Sequence, residues 1–135
     1  TTVVGLPEVS VGVVPGGGGT QLLARRVGRA RAADLIFTAR RLDAAEAFGH
    51  GCLDRLVPAG DDRAAALALA RVIAGNSPIG LRQAKKAIRL GLALDLAAAL
   101  AVEDAAWHTT AMSPDRAEGV QAFAERRVPN WPGDA

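Results

Sequence analysis

Very little of this chain can form strand, and what strand signal it has is concentrated at one end. Val9, Val11 and Val13 alternate within a Val-rich stretch over residues 3–14, a period-two pattern that predicts an extended segment. Pro15 ends it and four glycines follow, Gly16 to Gly19. A second short apolar stretch, 52–57, reads as a strand or extended link closed by Pro58. A stable sheet needs more strands than this and a covered face. The opening segment is therefore expected to pair with strands outside the chain.

Most of the remainder is patterned for helix. Thr20 is the expected N-cap of a helix carrying Leu22, Leu23 and Val27, with Gly28 closing it. A second helical run covers 29–39. Asp43 with Glu46 three residues on makes a capping box, and the short helix it opens stops at Gly49 or Gly51. Beyond Asp61 the stripe Ala66, Leu69, Ala70 and Ile73 marks a helix that ends at Gly75-Asn76. Ser77-Pro78 restarts a helix with apolar face Leu81, Ala84, Ile88 and Leu92. Asp95 caps the next, which carries Leu96, Leu100 and Trp107. Ser113-Pro114-Asp115 starts the last, with Val120 and Phe123 on its expected buried side. The tail 128–133 reads as irregular. No internal repeat is evident.

Composition narrows the function classes. A length of 135 residues suits one domain, and a hydrophobic share of 50% supplies a core. A formal net charge of +2 argues for neither nucleic acid nor a membrane surface. No apolar run reaches the roughly 18–20 residues that cross a bilayer. The lone Cys52 permits no internal disulfide, so a reducing compartment and the cytoplasm are expected. The chain opens on Thr1 rather than Met, which fits a fragment or one part of a split protein.

Several chemistries are set aside. The Gly16–Gly19 run has no Lys-Ser/Thr after it and is no P-loop. His50 and His108 each lack a partner at ligand spacing, so no metal is expected. Cys52 reads as a small buried hydrophobe. Arg82, Lys85, Lys86 and Arg89 share one helix face and read as a solvated stripe, since no aromatic platform accompanies them for RNA. Glu8 stands between Pro7 and an all-apolar segment. It is either a surface residue or a placed acid whose burial would tune it for proton transfer. Gly16 opens a turn of backbone N–H groups at a helix start, a geometry that holds a water or an oxyanion.

The run Leu6-Pro7-Glu8-Val9-Ser10-Val11-Gly12-Val13-Val14-Pro15-Gly16-Gly17-Gly18-Gly19-Thr20-Gln21-Leu22-Leu23 resembles the segment P-E-x-x-x-G-x-x-P-G-x-G-G-T-Q-x-L of the enoyl-CoA hydratase/isomerase, or crotonase, family. The likeness continues through Val27-Gly28, Leu35 to Leu42, Ala44 to Ala47, Gly51 to Pro58, Ser77-Pro78, Ala84-Lys85, Asp115 to Gly119 and Ala122 to Arg127. The whole chain resembles the C-terminal half of such an enzyme. The PGGGGTQ run and Leu35-Ile36-Phe37-Thr38-Ala39-Arg40 add a looser likeness to the methylglutaconyl-CoA hydratase branch.

The resemblance implies an α/β fold, the crotonase/ClpP-like β-β-α spiral. This chain would be a mostly helical C-terminal portion with a short β-containing opening and a helical trimerisation region. Residues 1–60 would end the spiral core and 61–135 would form the oligomerisation region. The implied activity is hydration of a 2-enoyl-CoA, with coenzyme A thioester as substrate and no further cofactor. Glu8 matches the glutamate that protonates the α carbon, and Gly16 the glycine whose N–H holds the catalytic water. Phe123 and Arg126 match an aromatic and a basic residue that reach the CoA nucleotide, with Arg126 where the family has Lys. Homotrimers or dimers of trimers are implied. The family's first glutamate and both oxyanion-hole N–H groups have no counterpart here, so the active site is expected to be incomplete. A fragment, a split enzyme and a non-catalytic helical remnant all fit that departure. Isomerisation fits Glu8 as well as hydration does.

Overall fold

The strand signal resolves into two three-residue strands that pair with each other. In the computed structural model, which describes residues 2–133, β1 (Val3–Gly5) runs antiparallel to β2 (Arg41–Asp43). Val3 pairs with Asp43, Val4 with Leu42 and Gly5 with Arg41. Two expectations are corrected. The opening strand has a partner inside the chain, residues 41–43, and the strand or link read at 52–57 forms no strand. Ala39 makes the pairing reachable: its left-handed φ of 53° turns the chain back after the helix that precedes it.

The alternating valines are corrected too. Residues 8–11 form a 3-10 turn, not a strand. Both the backbone N–H and the hydroxyl of Ser10 bond to the Pro7 carbonyl, at 2.9 and 2.7 Å. Gly12 then closes the turn at φ 85°, a left-handed conformation that suits glycine. Local hydrogen bonds of this kind outcompete a ladder that has no adjacent partner.

Seven α-helices form among the described residues. They are α1 (Gly19–Val27), α2 (Arg29–Phe37), α3 (Ala44–Gly49), α4 (Asp62–Ala74), α5 (Pro78–Gly91), α6 (Leu96–Ala111) and α7 (Pro114–Glu125). Thr20 does not cap α1. Gly18, left-handed at φ 93°, takes that place without a side-chain bond. The other expected caps form. Asp43 accepts the Glu46 N–H at 2.8 Å and completes its capping box. Ser77 accepts from Gly80, Asp95 from Ala98 and Ser113 from Arg116.

The chain divides by compactness after Ala65, inside α4. In the first unit Leu35, Leu42 and Ala47 form the core, with Val4, Leu23, Cys52 and Leu53 packed on it. Cys52 packs against apolar neighbours but is half-buried rather than buried. In the second unit α5 lies along α6, and small residues set the approach: a methyl on Gly91 would meet Ala99 Cβ at 3.4 Å. In that unit Ile79 is buried, whereas Ala84, Ile88 and Leu92 are exposed and Leu81 is half-buried, so the expected α5 face is not the buried one. On α7 the expectation is reversed. Asp115 and Ala122 are buried, while Val120 and Phe123 are exposed. Periodicity locates an apolar stripe but not its partner.

Candidate active site

Glu8 opens the 3-10 turn, and its backbone is fixed from both sides. Pro7 restricts the approach, and the Glu8 carbonyl accepts the Val13 N–H at 3.3 Å. The turn packs against α2. The outcome for the side chain is unusual. Oε2 of Glu8 is shut off from solvent and has no hydrogen-bond partner among the described residues. Carboxylate oxygens are strong acceptors, and a buried one without a donor costs free energy that folding alone does not return. Such an oxygen can take up or deliver a proton without first breaking a bond.

The glycine run divides by purpose. Gly17 and Gly18 have φ of 60° and 93°, so glycine is required there by backbone conformation. Gly16 has no positive φ, and a Cβ placed on it would meet nothing within 4 Å. Neither strain nor crowding explains a glycine at 16. Its carbonyl accepts the Gly19 N–H at 3.1 Å, while its own N–H bonds to nothing among the described residues. The residue is exposed, beside the buried Pro15 and just ahead of the α1 N-terminus. A bare, unengaged N–H at such a place suits a small polar ligand.

Glu8 and Gly16 belong to the first unit, Phe123 and Arg126 to the second. Phe123 is 87% exposed and borders a cleft of about 640 Å³ walled also by Trp107, Gly119, Val120 and Trp131. Arg126 ends α7 in a left-handed conformation, φ 54°, and its guanidinium bonds to nothing among the described residues. Arg127 is committed instead. It grips both carboxylate oxygens of Glu118, at 2.6 and 3.0 Å, and Glu125 at 2.6 Å. This holds the Glu118 carboxyl down at about 2, chiefly through the Arg127 bond and then the Asn130 N–H.

One residue of consequence is marked in the sequence only by its place in a first helical turn and in a stretch of the family likeness, with no role attached. Asp115 is 2% exposed. Its Oδ2 accepts the Ser77 hydroxyl at 2.6 Å and the Ile79 N–H at 3.2 Å, and its Oδ1 accepts the Gly133 N–H at 2.8 Å. Burial pushes its carboxyl up, but these three donors, helped by the charge of Arg82, hold it below the usual range. The tail is fastened here: Arg82 bonds the Gly133 carbonyl at 2.9 Å and Trp131 Nε1 bonds the Gly75 carbonyl at 2.8 Å. Lys85, Lys86 and Arg89 are exposed, as a solvated stripe should be. His50 bonds Arg40 and His108 lies by Asp104, and no cluster of metal ligands occurs among the described residues.

An acid with one buried oxygen and, eight residues on, a glycine turn stand on a scaffold of short strands and helices, and comparison with known proteins names that scaffold. The enoyl-CoA hydratase/isomerase family matches residues 1–134, and the chain belongs to that family. It is 41% identical over 134 residues to the mitochondrial methylglutaconyl-CoA hydratase of Rattus norvegicus, covering 96% of this chain and 42% of the relative. The crystal structure of an enoyl-CoA hydratase from Bacillus anthracis superposes with a TM-score of 0.97 at 40% identity, covering 99% of this chain and 52% of that one. An enoyl-CoA hydratase from Mycobacterium tuberculosis H37Rv gives 0.93 at 34% identity, with 98% and 53% covered. The chain spans about half the length of the relatives it matches. The helical architecture with its short β pairing is therefore that family's. Among the described residues no single helix is long and apolar enough to cross a membrane.

Proposed function

We propose that this chain carries the proton-transferring part of an enoyl-CoA hydratase, with a 2-enoyl-CoA thioester as substrate. Water adds across the 2,3 double bond: its oxygen bonds to the β carbon and a proton goes to the α carbon. Glu8 delivers that proton, and in dehydration it removes it. Gly16 holds the water through its N–H. Phe123 and Arg126 meet the CoA nucleotide, the ring by stacking and the guanidinium by pairing with phosphate. The working form is a homo-oligomer, a trimer or a dimer of trimers, with the helical region 61–135 supplying interface. The cytoplasm is the expected location, and no cofactor beyond the CoA thioester is called for.

The buried, unpartnered Oε2 of Glu8 carries this reading. The test is Glu8→Gln, followed by loss of conjugated enoyl-thioester absorbance from crotonyl-CoA. Hydration should fall by about 10²–10⁴-fold, the usual contribution of a placed acid. Retention of most of the wild-type rate would remove Glu8 from the role. Isomerisation is the second reading, because one acid–base group such as Glu8 is enough to move a proton between two carbons. A 3-enoyl-CoA substrate separates the two, because isomerisation creates the conjugated absorbance that hydration destroys.

A further inference from the structure

We propose that Gly19 is a positioning residue for Glu8 and Gly16, and that it acts by having no side chain. The proposal rests on the roles given above to those two residues. Gly19 is the first residue of α1 and has no positive φ, so its backbone does not require glycine. Space does. A methyl at Gly19 would lie 2.8 Å from Pro15 Cβ and 3.4 and 3.6 Å from the two δ-carbons of Leu6. The first distance is far inside carbon–carbon contact. Pro15 is buried and its Cβ belongs to a ring that cannot rotate aside, so the backbone must yield.

The two residues pressed against Gly19 are the neighbours of the two site residues. Pro15 precedes Gly16, and Leu6 lies two residues before Glu8. One atom-sized gap on α1 therefore faces both the residue before the glycine turn and the segment that leads into the acid-bearing turn. The Gly19 N–H, bonded to the Gly16 carbonyl, fixes the turn from the other side. Helix propensity points the opposite way, since alanine is the better helix former at such a position. The other glycines of the segment differ: Gly12 and Gly17 need their φ but have nothing within 4 Å.

The experiment compares Gly19→Ala with wild type in the full-length protein, with Gly49→Ala as control because a methyl there meets nothing within 4 Å. It reads kcat and KM for crotonyl-CoA together with hydrogen–deuterium exchange resolved along the chain. Gly19→Ala should lower kcat by about 10–100-fold, the cost of roughly 1 Å of misplacement, with KM nearly unchanged. Exchange should rise across 6–18 and stay as wild type in α2 and α3. Gly49→Ala should match wild type throughout. Wild-type kcat and exchange in Gly19→Ala overturn the proposal, and so does exchange raised evenly along the chain, which is a folding defect. If Gly19→Ala does not fold, Leu6→Ala opens one side of the same contact. A smaller kcat loss with faster exchange at 6–18 supports the proposal, and wild-type behaviour overturns it. Should wild type itself not hydrate crotonyl-CoA, the reading of the site falls while the exchange pattern still decides whether Gly19 holds the two segments.

Discussion

Two carboxylates show how the same group serves opposite ends. Glu8 keeps one oxygen buried and unbonded, whereas Asp115, buried more deeply, has donors on both of its oxygens. An unbonded buried acceptor costs about 1–3 kcal/mol. Glu8→Gln keeps the shape of the side chain and loses the acid, so function should separate from stability: turnover falls while the melting temperature stays close to the wild-type value, measured on one preparation. Asp115→Asn should do the reverse. Its amide would turn a donor toward the Ser77 hydroxyl or the Ile79 and Gly133 N–H groups, which are themselves donors. The expected result is a lower melting temperature with the Trp131 indole exposed, read as a red-shifted emission in a Trp107→Phe background. The chain has two tryptophans and no tyrosine, so Trp131 alone would then emit. Unaltered emission in Asp115→Asn would show that the tail does not depend on the carboxylate.

At the level of elements, the first unit depends on one strand residue and one cap. Leu42 is 1% exposed at the centre of the core, opposite Val4 in the two-strand pairing. Leu42→Ala should cost about 2–5 kcal/mol, enough to unfold much of a marginally stable unit, as chemical denaturation would measure. Asp43→Ala removes the capping box that starts α3 and should cost about 1 kcal/mol. The cap was legible in the sequence because its partners lie three residues apart, and so were the Ser77, Asp95 and Ser113 starts. The strand was not, because Arg41–Asp43 is three residues long and its partner lies 38 residues earlier. The valine alternation at 9–13 misled for a related reason: period two predicts strand only where a neighbour offers a ladder. Glu8 and Gly16 stood out by motif with a role attached, whereas Asp115 fell in a matching stretch that carried none. An acid in a first helical turn is already accounted for by the helix dipole, so nothing in the sequence called for a further role.

Across the molecule, acid response should be concentrated in the 66–135 unit. Folded Glu118 stays charged down to about 2, whereas the same carboxyl in the unfolded chain protonates near 4.5. Between those values the unfolded chain takes up a proton that the folded unit refuses, so stability is full above roughly pH 5 and declines as pH falls toward 2. Asp115 and Glu125, both held below their ordinary values, push the same way. Glu118→Gln should flatten the acid limb of a melting-temperature profile and leave the neutral plateau lower. An unchanged slope would assign the acid sensitivity to other groups. The fastening of the tail also has a meaning in time. Trp131 bonds a carbonyl 56 residues earlier, and Gly133 meets Arg82 across 51. A ribosome must release α5, α6 and α7 and go on to the Trp-Pro-Gly stretch before the start of α5 can be locked. Through that interval of synthesis the unit lacks its clasp, and its apolar surface is open to neighbouring chains.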